Sequence, residues 1–203
     1  MYAVQKEDLI SQAQRGDTYA QGQLVREWYP RIYNYAFKYF GDADLASETA
    51  QQTFIAMHHK IGQLNECSKF KSWIYTIATN ICRQESRKGK RHKWLSFDQL
   101  LPKQEEESSP AWEISKPGES NPEQTYLRGE LGGILTKCLQ QLSKDQREVL
   151  IMKEYEGLKF REIAEALKVS ENTVKSRLYY AFSHMRKLLA KENITENNIR
   201  YEN

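Results

Sequence analysis

Cysteine is scarce and scattered, with only Cys67, Cys82 and Cys138 in 203 residues. An odd count, wide spacing and the lack of a CxxC pair or a Cys/His cluster argue against a disulfide framework and a zinc site. No apolar run approaches the roughly 20 residues a membrane helix needs. The opening MYAVQKEDL lacks the apolar core of a signal peptide. There is no internal repeat. A Gly-rich phosphate loop, an HExxH pair and a nucleophile elbow are all missing, so no catalytic residue, cofactor or metal is assigned. These absences lead to the expectation of a cytoplasmic, reducing setting, no membrane insertion and no enzymatic activity.

Proline is sparse too, and four of the five fall between Ser96 and Tyr126. The same stretch carries 2 basic and 7 acidic residues, whereas residues 1–95 carry 14 and 9, and residues 127–203 carry 14 and 11. An acidic, proline-bearing connector with the run Glu105, Glu106, Glu107 reads as a flexible linker over 96–126. It separates two chemically distinct blocks, 1–95 and 127–190, and a polar tail follows over 191–203.

The organising stretch is Phe70 to Lys93, FKSWIYTIATNICRQESRKGKRHK. Phe70, Trp73, Ile74, Ile77, Ala78, Ile81 and Cys82 recur at helical spacing and predict one core-facing side. Thr76, Asn80, Arg83 and Arg87 step along a second face that leads into Lys88, Lys90, Arg91 and Lys93. A polyanion can lie along such a face.

Before it, Leu9, Ile10 and Ala13 predict a short helix ending at Gly16, with Asp17 capping the next. That second helix carries Leu24, Trp28, Ile32, Ala36 and Phe40, and Pro30 inside it predicts a bend or a break. Gly41 and Asp42 then open a third, in which Leu45, Phe54, Ile55, Met57 and Ile61 are expected to be buried. Its acids, Asp42, Asp44 and Glu48, favour the helix start for its dipole rather than a metal. His58 and His59 are adjacent, hence not a helical ligand pair.

After the linker, Leu127, Leu131, Ile134, Leu135, Cys138 and Leu139 form one stripe. Ser143 and Gln146 predict a capping box for the next helix, which ends at Gly157. Phe160, Ile163, Ala164 and Leu167 predict a two-turn helix, and Lys168 to Ser170 make a tight connector into a final one. Two helices joined by about three residues form a helix-turn-helix pattern. In the final helix Val174, Leu178, Ala181, Phe182, Met185, Leu188 and Leu189 share the inward face. Asn172, Thr173, Ser176, Tyr180 and Ser183 share the other, flanked by Lys175 and Arg177. Short polar groups near the helix start reach base edges in a major groove, and the cations hold phosphates. The plain alternative is a helical hairpin whose polar face is only solvated.

In order and spacing, GDADLASETAQQTFIAM, FKSWIYTIATNICRQESRK and LKFREIAEALKVSENTVKSRLYYAFSHMRKLL resemble the two-domain extracytoplasmic-function sigma factors of bacterial RNA polymerase. The resemblance implies an all-α fold: a region 2 helical bundle, a flexible acidic linker and a region 4 helix-turn-helix. It implies docking on core RNA polymerase, at the largest-subunit clamp coiled coil and the flap, with Leu45, Gln51, Gln52 and Phe54 on the clamp. It implies that Phe70, Lys71, Trp73, Thr76, Asn80, Arg83 and Arg87 open and read the −10 promoter element. Lys88, Lys90, Arg91 and Lys93 are then expected to hold phosphates without regard to sequence. Ser170, Glu171, Asn172, Thr173, Lys175, Ser176, Arg177 and Tyr180 match the −35 reading segment. An anti-sigma factor is a further partner the resemblance makes plausible. Two departures stand out: Ser47 where the family often has Asp, and Lys168 where the turn often has Gly.

The competing reading is a two-domain helix-turn-helix regulator that binds duplex DNA without polymerase. It accounts for the carboxy-terminal motif but leaves the basic face after Phe70 unexplained.

Overall fold

The computed structural model describes residues 2–95 and 122–194, the side chains of residues 2–6, 89–95, 122–128 and 130 excepted. Among the described residues the fold is all helical: α1 (Tyr2–Gln14), α2 (Thr18–Phe40), α3 (Ala43–Lys60), α4 (Phe70–Leu95), α5 (Pro122–Gln141), α6 (Lys144–Leu150), α7 (Phe160–Leu167) and α8 (Glu171–Lys191). The segment read as linker lies outside the described residues up to position 121, and its last five residues are already in α5. Residues 195–203 of the tail lie outside as well.

The first module packs α1, α3 and α4 around α2. Gly16 takes φ 89°, after which the Asp17 carboxylate caps α2 by accepting from the backbone of Tyr19 and Ala20. Gly41, at φ 71°, ends α2, and Asp42 accepts from the Leu45 N–H to start α3. Both helix starts thus follow from short acids at the first free N–H groups. Between α3 and α4 the chain makes two 3-10 turns, Ile61–Gln63 and Cys67–Lys69. The Gln14 amide pins them by donating to the Ile61 and Leu64 carbonyls at 3.1 and 2.6 Å.

Of the two outcomes expected at Pro30, a bend or a break, the break is absent, and two burials expected in α3 change. Helix α2 runs through Pro30 without a break. Pro30 and Arg26 are both exposed, so solvent can serve the Arg26 carbonyl that loses its donor to proline. Ile55 is 59% exposed rather than buried. The inward stripe of α3 is Ala46, Thr49, Ala50, Thr53, Phe54 and Met57, and Ile55 sits about 100° round the helix from Phe54. Leu45 is half-buried.

In the second module Ser143 accepts from the Gln146 N–H to start α6, but the capping box is not completed. The Gln146 side chain lies instead toward the His184 ring, at 3.5 Å. Helix α6 continues as a π turn, Ile151–Tyr155, before Gly157. The connector between α7 and α8 settles the conformation at Lys168, which is left-handed at φ 56° and ψ 48°. That conformation strains a side-chain-bearing residue, so Lys168→Gly is expected to raise the module's stability by about 0.5–1 kcal/mol, read as a higher thermal midpoint. Leu131 and Phe182, expected inward, are exposed. The buried stripe of α8 is Val174, Leu178, Ala181, Met185 and Leu188, and Phe182 falls just past its edge.

The two modules are packed against each other. Helix α4 lies on α7, while α2 meets the end of α5 and the π turn. Among the described residues no helix is long and apolar enough to cross a membrane.

Candidate nucleic-acid and docking interfaces

Helix α8 presents the clearest candidate for a recognition surface. Ser170 caps it, its Oγ accepting from the Thr173 N–H at 3.1 Å and lying 2.8 Å from the Thr173 hydroxyl. The cap occupies Ser170 and Thr173, while Glu171, Asn172, Lys175, Ser176 and Tyr180 are exposed. The Ser176 hydroxyl donates to the Thr173 carbonyl at 3.0 Å, which leaves its oxygen able to accept. Lys175 leans over the Phe160 ring, at 5.8 Å. Arg177, expected beside this face as a phosphate holder, has its guanidinium on the Asp145 carboxylate at 2.5 Å. Tyr179, which the sequence reading passed over, is 71% exposed beside Tyr180. Its signal is its position, off the buried stripe of α8.

Helix α4 divides differently from its sequence pattern. Phe70 is only 2% exposed, and its ring meets Trp28 edge-on at 5.4 Å, so it is a core residue here. Trp73 is half-buried, 5.8 Å from Phe70. Thr76 donates back to the Ser72 carbonyl. Asn80, Arg87 and Lys88 are exposed, and Lys88 pairs with Glu85 at 2.7 Å. The side chains of Lys90, Arg91 and Lys93 lie outside the described residues.

Lys71 and Arg83 are engaged by the other module. Lys71 donates to the Gly157 carbonyl at 3.2 Å and lies 3.4 Å from Glu162. Arg83 grips Glu148 with two parallel bonds, Nε to Oε1 at 2.8 Å and Nη2 to Oε2 at 2.6 Å. Beside them Tyr75 donates to Glu156 at 2.6 Å, and Ser72 to Glu165 at 3.1 Å. Arg147 donates to the Tyr39 carbonyl, and the Gln140 amide to that of Lys38. Glu148 is 0% exposed. Burial pushes its carboxyl up, and the Arg83 hydrogen bonds offset part of that rise. Burial raises the Glu156 carboxyl as well, against the pull of Tyr75. Sequence reasoning missed this layer. The one available hint is Glu148 preceding the apolar run Val149 to Met152.

The expected docking residues sit on α3. Gln51 is exposed, Gln52 is half-buried and donates to Glu48 at 2.8 Å, and Phe54 is buried, stacked on Tyr29 at 6.0 Å. Val25, Tyr29, Gln51, Phe54, Ile55 and His58 line a shallow, mostly apolar depression there. Among the described residues no group of His, Cys, Asp and Glu is arranged to hold a metal ion.

An all-helical pair of modules, one of them a helix-turn-helix with an open polar face, defines a class of DNA-binding regulatory protein. The family model for sigma-70 region 2 matches residues 24–92, and that for sigma-70 region 4 matches residues 133–185. The RNA polymerase sigma-H factor of Pseudomonas aeruginosa is 30% identical over 178 residues, 87% of this chain and 90% of that protein. The ECF RNA polymerase sigma-E factor of Escherichia coli is 27% identical over 174 residues, 85% of this chain and 88% of that one. The chain belongs to the sigma-70 family of RNA polymerase sigma factors, in its extracytoplasmic-function group. Its fold is similar to that of the sigma factor RpoE of Bartonella quintana, solved in complex with the anti-sigma factor NepR (TM-score 0.64, 22% identity, 83% of this chain and 96% of that one). It is also similar to CnrH, solved with the cytosolic domain of CnrY (TM-score 0.65, 20% identity, 92% and 97%).

Proposed function

We propose that this protein is a transcription initiation factor that docks on core RNA polymerase, recognises −10 and −35 promoter elements and helps separate the strands at the former. The observation that carries this reading is one chain holding both family modules in order, with an exposed polar face on α8 and exposed Asn80 and Arg87 on α4. Helix α8 enters the −35 major groove, where Asn172 and Ser176 meet base edges and Lys175 a phosphate. Helix α4 takes the −10 strand, and Leu45, Gln51, Gln52 and Phe54 lie on the polymerase clamp. Unstacking a base costs a few kcal/mol, which single-strand contacts along α4 and the loop before it offset. The working site is the cytoplasm, where polymerase and promoter meet. An anti-sigma factor is a further proposed partner, by analogy with the named complex of RpoE.

Run-off transcription with purified core polymerase on genomic fragments tests the proposal and maps promoters. Discrete transcripts that need this protein are expected. A protein that shifts duplex DNA alone yet starts no RNA would be a regulator instead. On a mapped promoter, Asn172→Ala or Ser176→Ala is expected to cost about 1–3 kcal/mol of discrimination at one −35 base pair. Equal loss on a promoter lacking that element would contradict the groove assignment. Asn80→Ala is expected to change preference among −10 sequences more than overall binding, as compared over a panel of single-base promoter variants.

A further inference from the structure

The chain between α3 and α4 has little of its own to hold it. Local backbone bonds close its two 3-10 turns, from the Leu64 N–H to the Ile61 carbonyl at 3.1 Å and from the Lys69 N–H to the Glu66 carbonyl at 3.0 Å. Within residues 62–69 only Leu64 is buried, whereas Gly62, Gln63, Asn65, Glu66 and Ser68 are exposed. A segment with so few buried contacts opens easily unless something outside it fixes one conformation. Gln14 on α1 does so from 47 and 50 residues away. Its Nε2 donates to the Ile61 and Leu64 carbonyls at 3.1 and 2.6 Å, and its Oε1 accepts from the Cys67 thiol at 3.7 Å. Two carbonyls on one side and a thiol on the other allow a single orientation of the amide. Helix α1 is itself fixed, with Ile10 and Ala13 buried in the core and the Gln21 amide of α2 donating to the Ala13 carbonyl at 3.0 Å.

We infer that Gln14 is a positioning residue for −10 recognition, bracing the 61–69 loop so that Asn65 and Ser68 are held ready for the strand unstacked ahead of α4. The inference rests on the proposed role of that loop. Gln14 lies ahead of residues 24–92, the part matched by the region 2 family model, so the brace belongs to this chain's own amino-terminal helix. Its amide is taken up by three loop groups, and its effect on DNA passes through them. A braced loop has already met the ordering cost of binding. A loop in the competent form about a tenth of the time binds a base about tenfold more weakly. Loosening costs discrimination first, because polar groups reject a wrong base only when they cannot move to suit it. Docking on polymerase and reading by α8 involve other surfaces and are left as they were.

Gln14→Met, which keeps the length of the side chain and removes both donors, tests this in the full-length protein. Gln21→Met, which loosens α1 without touching the loop, is its control. Hydrogen exchange of the free protein reads the loop. Run-off transcription by the holoenzyme over single-base promoter variants reads discrimination, and a fluorescent adenine analogue placed at successive −10 positions reads unstacking. Gln14→Met is expected to speed exchange within 62–69, to lower discrimination at one −10 position about tenfold and to weaken the unstacking signal there, with −35 preferences unchanged. Gln21→Met is expected to keep the parent's −10 preferences. Unchanged discrimination in a folded Gln14→Met protein would overturn the inference, and so would an equal loss at every −10 and −35 position or in Gln21→Met. Faster loop exchange with no promoter-dependent transcript from the parent would instead remove the transcriptional reading, and the recognition role with it, while the brace itself stands.

Discussion

Arg147→Ala is expected to lower stability by about 3 kcal/mol, because it strips several carbonyls of their donor at once. One guanidinium here serves four carbonyls. Nε donates to Leu139 at 2.8 Å, Nη1 to Tyr39 at 2.8 Å, and Nη2 to Gln140 and, at 3.2 Å, to Leu142. Leu139 and Gln140 are among the last residues of α5, whose terminal carbonyls have no partner within the helix. The planar fork reaches them all, and it also lies 5.4 Å over the Tyr39 ring. Alanine leaves half-buried carbonyls that water reaches only in part. Arg147→Lys is expected to recover little, since a single ammonium cannot span the set. Calorimetry of both variants checks this. Because the Tyr39 bond crosses between modules, separate melting of the two halves is the expected signature, and a lysine variant as stable as the parent would show that the fork does not matter.

The second large effect concerns the basic exit of α4. Replacing Lys88, Lys90 and Arg91 together with alanine is expected to weaken holoenzyme binding to every promoter alike. Each lost phosphate contact removes about 0.9 from the slope of log affinity against log salt. Three contacts make the parent's advantage shrink by about 40-fold between roughly 50 and 200 mM salt. The Glu85 pairing of Lys88 does not block this, because the Lys88 side chain is 65% exposed, although that of Glu85 is only 9% exposed, and an ammonium on a flexible stem can turn to a phosphate. A loss confined to one promoter sequence would instead make these residues base readers.

Local structure was largely legible from the sequence, because local chemistry writes it. Gly16 and Asp17, Gly41 and Asp42, and Lys168 to Ser170 act within a few residues, and the structure has a turn or cap at each. The exposed row on α8 followed from its periodicity. Edges of stripes did not: Ile55 and Phe182 are apolar neighbours of buried Phe54 and Ala181, and position alone turns them outward. Of the bend or break expected at Pro30, the break is absent, because an exposed carbonyl can be served by water. The seam between modules was invisible for a different reason. Arg83 and Glu148 are 65 residues apart, and a polar pair of that kind leaves no period. Each partner taken singly reads as a solvated charge, so Arg83 was legible as a cation on a polar face but not as a cation already spoken for.

The most direct test of the account is permanganate reactivity of thymines across a promoter mapped by run-off transcription, with the protein, with core RNA polymerase and with both. Strand opening confined to the −10 region and seen only with both present is the predicted result. Reactivity with polymerase alone, or duplex binding by the protein alone with no reactive thymine in any mixture, would contradict it.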